Sequence, residues 1–115
     1  MSKVILVAFR GDPMCFVHVL LNLLDMNEKG LRGRLILEGE ATGLLPQLED
    51  KTFFLHPLWE ETKAKGLIEG VCRACATKMG TVKQAEELGL PLLDEMKGHP
   101  SLSRYLGQGF QVIIF

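Results

Sequence analysis

Cys72 and Cys75, in the stretch Gly-Val-Cys-Arg-Ala-Cys at positions 70–75, are the residues of this chain whose type and spacing could do the most chemistry. A thiolate attacks sulfur, carries a sulfane atom, closes a disulfide or binds a soft metal, and a second thiol one helical turn away can assist each of these. Residues 67–71 read as a strand, and residues 73–79 as a short helix stopped by Gly80, so Cys72 stands at the strand-to-helix junction. In a parallel sheet that junction faces the ligand-binding edge. Partial positive charge at the helix start, joined by Arg73, would hold Cys72 as a thiolate and lower its pKa from about 8.5 to about 3.5–7.5. Cys75 would then resolve a persulfide or sulfenate on Cys72, or point into the core, where free cysteines serve as small hydrophobes.

Other groupings compete for the same sulfurs. Cys15 and His18 form a Cys-x-x-His pair that, joined to Cys72 and Cys75, offers four zinc or iron ligands. More than fifty residues separate the two pairs, a spacing unlike that of zinc fingers, and His18 reads as a core or interface histidine satisfied by a backbone carbonyl before it reads as a ligand. Thioredoxin-type redox chemistry would need a Trp-Cys-Gly-Pro-Cys context after an early strand, which is absent. Glu38 and Glu40 end the second strand and read as a solvated turn. His99, before Pro100, reads as a helix-start residue. No Gly-x-Gly-x-x-Gly, Walker A or Gly-x-Ser-x-Gly pattern occurs, so nucleotide binding and serine hydrolysis have no local support.

The elements that must hold these residues alternate. Residues 3–9 are a continuous apolar strand, followed by Asp12 as N-cap, Pro13 at the first helical position and a helix to about Glu28, stopped by Gly30. Strands are predicted at 34–38, 67–71, 91–93 and 110–115. Between them come a short helix at 42–48 interrupted by Pro46, one from Pro57 to Lys65, one after a Thr81/Gln84 capping box ending at Gly89, and one at 101–106. This order predicts an α/β fold, a three-layer α/β/α sandwich around a mainly parallel sheet of about five strands. Residues 49–56 are the longest expected loop and the first place to expect mobility. The first helix carries Met14, Cys15, Phe16, Val17, Val19, Leu20, Leu21, Leu23 and Leu24, almost without a polar face. Such a helix needs cover on all sides, which predicts a homo-oligomer, unless loop 49–56 folds over it.

At 115 residues there is room for one domain. Thirteen Lys and Arg against fourteen Asp and Glu, with no basic run, argue against nucleic acid. Three cysteines without scaffold spacing argue against a secreted disulfide module and for a reducing cytoplasm. The N-terminal apolar run reads as a strand rather than a signal peptide, and residues 14–24 are too short for a bilayer, which needs about 20. No membrane association and no cofactor is expected.

The chain resembles the DsrE/DsrF-like family in three places: the opening Lys-Val-Ile-Leu-Val-Ala strand with its apolar helix, residues 37–41 (Leu-Glu-Gly-Glu-Ala), and residues 66–76 (Gly-Leu-Ile-Glu-Gly-Val-Cys-Arg-Ala-Cys-Ala). The resemblance spans nearly the whole length, residues 1–115 as a single DsrE-like domain. It implies a sulfur carrier or sulfurtransferase-like protein in which Cys72 accepts sulfane sulfur as a persulfide and passes it to a partner. It also implies donor and acceptor proteins and a trimeric or hexameric assembly. Cys75 stands where relay proteins often carry a small residue, which leaves its role open. A non-catalytic oligomeric binding or scaffold subunit of the same fold is the alternative.

Overall fold

Between Lys3 and Ala8 every residue after the lysine is apolar, and this run, β1 (Lys3–Ala8), lies inside the sheet with both faces covered. The computed structural model describes residues 2–115. The other strands are β2 (Arg32–Leu37), β3 (Ile68–Cys72), β4 (Leu92–Leu93) and β5 (Phe110–Ile114), in the order β4-β3-β2-β1-β5, with every pairing parallel. The helices are α1 (Pro13–Glu28), α2 (Leu45–Leu48), α3 (His56–Ala64), α4 (Arg73–Met79), α5 (Val82–Glu87) and α6 (Leu102–Gly107). Each step from β1 to β4 moves one strand along, and the last connection returns across the whole sheet to place β5 beside β1.

Alternation along β1 sorts the core into two layers. Val4, Leu6 and Ala8 face a large cluster with Phe16, Leu20 and Leu23 of α1, Leu45 and Leu48 of α2, Trp59 of α3, Ala76 of α4 and Ala85 of α5. Ile5 and Val7 face a small cluster with Ile36, Leu93 and Tyr105 of α6. The architecture is thus the expected α/β sandwich, with one helical layer thick and the other nearly a single helix.

The predicted caps of α1 are present, Asp12 accepting the Met14 N–H at 2.9 Å with Pro13 beginning the helix. Three expectations are corrected. Pro46 opens the α2 turn instead of interrupting a helix, because a 3-10 turn over Gly39–Leu44 precedes it and its missing N–H falls where no donor is needed. Thr81 forms no capping box, since its buried hydroxyl donates to the Thr42 carbonyl at 2.8 Å. Residues 49–56 are tied down: His56 Nδ1 lies 2.8 Å from the Leu48 carbonyl, Asp50 accepts from the Thr52 N–H and hydroxyl, and Leu55 is buried.

Helix α1 is less uniformly apolar in space than in composition. It buries Phe16, Val19, Leu20 and Leu23 while Met14, His18, Leu21, Asn22 and Asp25 are exposed, and α3 packs along one flank. Cover on every side is therefore not required of it. Among the described residues no helix is long and apolar enough to cross a membrane.

The thin layer is anchored by Tyr105, the single tyrosine, whose hydroxyl donates to Glu69 Oε2 at 2.9 Å and whose ring packs edge-on against Phe110 at 5.6 Å. Burial first, then the Glu69 hydrogen bond and charge, push its phenol from an ordinary 10 up to about 12. The fold keeps the neutral phenol. Its contribution is thus complete below the unfolded value and lost as pH rises through about 12. An ultraviolet titration of the native protein should show almost no tyrosinate at pH 10, and Tyr105→Phe should cost about 1 kcal/mol in denaturant melts. Half-ionisation near pH 10 in the folded chain would contradict the buried bond.

Candidate functional site

The carboxyl ends of β2, β3 and β4 bring four side chains to one point. Glu38 follows β2 directly in extended conformation, its N–H bound to the Ala8 carbonyl at 2.8 Å. Cys72 is both the last residue of β3 and the N-cap of α4, and its Sγ accepts the Cys75 N–H at 3.4 Å. Cys75 lies one turn into α4. His99 sits in the connection from β4 to α6, where Met96 and His99 exchange backbone hydrogen bonds of 2.8 and 3.0 Å. The Gly98 carbonyl accepts the Ala74 N–H at 2.8 Å, which fastens this connection to the first turn of α4.

Cys72 Sγ lies 3.1 Å from His99 Nδ1, and Cys75 Sγ lies 3.7 Å from Glu38 Oε1 and 3.9 Å from His99 Nδ1. His99 Nδ1 is 3.6 Å from Glu38 Oε1. Cys72 is fully buried, Glu38 is 6% exposed, and Cys75 and His99 are partly open. A cavity of about 290 Å³ lined by Gly39, Glu40, Cys75, Lys78 and Met79 opens beside Cys75. All three cysteines of the chain are free.

The expected thiolate at Cys72 is reversed. Burial pushes the thiol up to about 12, with the Cys75 thiol and the Glu38 charge adding to the rise, although the Cys75 N–H opposes it. The helix α4 is only seven residues long and supplies that one N–H, too little against desolvation and a neighbouring carboxylate. Arg73 does not assist. Its guanidinium turns outward and pairs with Asp94 at 2.9 Å.

Of the predicted residues, Cys72 and Cys75 meet. Cys15 and His18 do not join them: Cys15 Sγ lies 3.9 Å from Asp12 Oδ2, and His18 is exposed on α1. The places expected for that pair are taken by Glu38 and His99, read from sequence as a solvated turn residue and a helix-start residue. One signal could have found both, since Glu38 directly follows β2 and His99 lies in the connection that leaves β4, the strands on either side of the one that carries Cys72. Glu38, Cys72, Cys75 and His99 each offer one donor atom, all within 4.8 Å of one another, and are the metal-capable group among the described residues.

Neither a family model nor a solved structure matches the chain. It is 35% identical over 97 residues to the uncharacterised protein MJ0733 of Methanocaldococcus jannaschii, an alignment covering 84% of this chain and 77% of that protein. An uncharacterised protein of Archaeoglobus fulgidus is 42% identical over 41 residues, 36% of this chain and 67% of that protein. A second one from the same organism is 40% identical over 37 residues, 32% of this chain and 100% of that protein. On the length and identity of the first of these matches, the chain belongs to the family of the Methanocaldococcus jannaschii protein MJ0733.

Proposed function

We propose that this chain is a cytoplasmic sulfur carrier, sulfurtransferase-like in its chemistry and of the DsrE/DsrF type, in which Cys75 receives sulfane sulfur and Cys72 holds it. The observation that supports this most is the contact of Cys72 Sγ with His99 Nδ1 at 3.1 Å, beside a second thiol that borders an open cavity. Cys75 as thiolate attacks the outer sulfur of a donor persulfide, and the donor thiolate leaves. As the Cys72 thiol attacks the outer sulfur of the Cys75 persulfide its proton passes to His99, and the Cys75 thiolate leaves. The sulfur then sits on a buried residue, shielded from water, and the reverse steps deliver it to an acceptor cysteine. Donor and acceptor proteins are the partners of this reading and a trimer or hexamer its assembly, which sedimentation would read directly.

Loading with a sulfane donor followed by mass spectrometry tests the proposal. The unsubstituted chain should gain one sulfur atom mapping to Cys72, Cys75→Ser should load slowly, and Cys72→Ser should hold sulfur only transiently on Cys75. Stable persulfide in the Cys72→Ser variant would sink the assignment. The burial of Cys72 favours a second reading, a binding or scaffold subunit whose thiols stay idle. It predicts no sulfane uptake and slow alkylation of Cys72 at neutral pH.

A further inference from the structure

Glu38 presents a carboxylate that is nine-tenths buried yet has no lysine or arginine partner among the described residues. The side chains that approach it are Cys75 at 3.7 Å and His99 at 3.6 Å. The His99 distance exceeds that of a good N–H to oxygen hydrogen bond, about 2.7–3.2 Å, and the Cys75 thiol is only a weak donor. A buried carboxylate calls for a cation or a full set of donors.

We infer that Glu38, Cys72, Cys75 and His99 form a closed four-ligand site for zinc. Tetrahedral zinc with bonds of about 2.3 Å to sulfur and about 2.0–2.2 Å to nitrogen and oxygen sets its ligand atoms about 3.3–3.8 Å apart. Four of the six separations here are 3.1, 3.6, 3.7 and 3.9 Å, and all six lie within 4.8 Å. Ligation therefore needs shifts of a few tenths of an ångström at most contacts. The donor set is two thiolates, one imidazole nitrogen and one carboxylate oxygen, which suits zinc and disfavours the hard cations magnesium and calcium. Two thiolates and a carboxylate leave the complex with a net charge of −1.

The supports for the ligands are present. Cys72 Sγ accepts the Cys75 N–H, the kind of outer bond that stabilises a metal-bound sulfur. His99 is held by its paired backbone bonds to Met96, and its loop by the Gly98 bond to Ala74. Glu38 and Cys72 follow or end parallel strands and Cys75 lies in the first turn of α4, so regular elements fix three of the four donors. This inference does not depend on sulfur transfer. Zinc and sulfane sulfur would occupy the same thiols, so the zinc-bound chain should refuse sulfane loading.

The test uses the full chain, reduced with a phosphine that neither carries a thiol nor chelates. Elemental analysis after zinc loading and desalting should give one zinc per chain. Cobalt(II) in its place should show the intense visible bands of a tetrahedral ion and thiolate charge transfer in the near ultraviolet. Cys72→Ser, Cys75→Ser and His99→Ala should each lower zinc affinity at least about 100-fold, beyond the range of outer-shell changes, and Glu38→Gln at least about tenfold. Cys15→Ser and His18→Ala should leave both spectrum and affinity unchanged. Circular dichroism of each variant separates loss of ligand from loss of fold, and zinc should raise the Tm of the unsubstituted chain relative to a chelator. A weak octahedral cobalt spectrum, zinc binding indifferent to His99→Ala in folded protein, or dependence on Cys15 would each overturn the site. Zinc binding by a chain that takes up no sulfane would leave the site standing and remove the carrier role; the opposite result would do the reverse.

Discussion

Gly70→Ala should lower stability by about 1–3 kcal/mol and displace His99 from Cys72, although it adds a single methyl group. A Cβ at this position would lie 2.8 Å from the Pro91 carbonyl oxygen and 2.7 and 2.8 Å from Leu93 Cγ and Cδ1. The leucine can rotate, but the carbonyl cannot. It accepts the Val71 N–H at 2.8 Å, one of the bonds that hold the two-residue strand β4 against β3 through the pairs Val71 with Leu92 and Cys72 with Leu93. Relief must come by moving β4 away, and the residues after β4 carry His99. Urea denaturation followed by circular dichroism reads the stability, and the imidazole resonances of His99 read the displacement. Gly107→Ala is the control: a Cβ there meets no atom within 4 Å, so its effect should stay within about 1 kcal/mol, on the stabilising side. A Gly70→Ala chain as stable as its parent would show that β4 is not clamped as described.

Trp59→Ala should cost about 3–5 kcal/mol, the largest stability loss expected from a single substitution here. The single tryptophan of the chain, on α3, is fully buried in the core cluster it shares with α1 and α2, and its indole N–H donates to Glu49 Oε2 at 2.6 Å. Removing the ring opens a cavity and takes one of two donors from Glu49, leaving Lys63. Trp59→Phe keeps most of the packing and should cost about 1–2 kcal/mol. Glu49 also sets an acid limit. Burial would raise its pKa, but the hydrogen bonds from Lys63 and Trp59 outweigh that and hold it below the ordinary glutamate value. Its contribution is thus complete above the unfolded value and disappears as pH falls through the depressed one. The Trp59 emission should therefore stay blue through the ordinary glutamate range and shift to the red only in stronger acid. A red shift centred at the ordinary glutamate value would contradict the pairing, as would near-identical melts for Trp59→Ala and its parent.

Most of the framework was legible in the chain because it rests on local rules. Asp12-Pro13 starts α1, the residues from Arg73 to Met79 form α4 as predicted, and alternating apolar runs with helical stretches yield a parallel sheet. These features depend on neighbours a few residues apart, and composition is a good guide to such interactions. Where a residue's partner lay far along the chain, the local reading failed. Thr81 looked like a cap, yet its hydroxyl is claimed by Thr42, thirty-nine residues earlier. Arg73 looked like a partner for Cys72, yet Asp94 draws it outward.

The candidate site divides along the same line. The pair Cys72 and Cys75, and the position of Cys72 at the turn from β3 into α4, followed from sequence spacing, because strand end, cap and helical turn are local geometry. Only the tertiary structure decided what surrounds the two sulfurs. Parallel pairing of β2 and β4 on either side of β3 brings in Glu38 from thirty-four residues before Cys72 and His99 from twenty-seven after it, and leaves Cys15 and His18 elsewhere. Burial depth was likewise invisible in one dimension. Enclosure beside a carboxylate outweighs a short helix end and one N–H, so Cys72 is held as a neutral thiol where the sequence alone pointed to a thiolate.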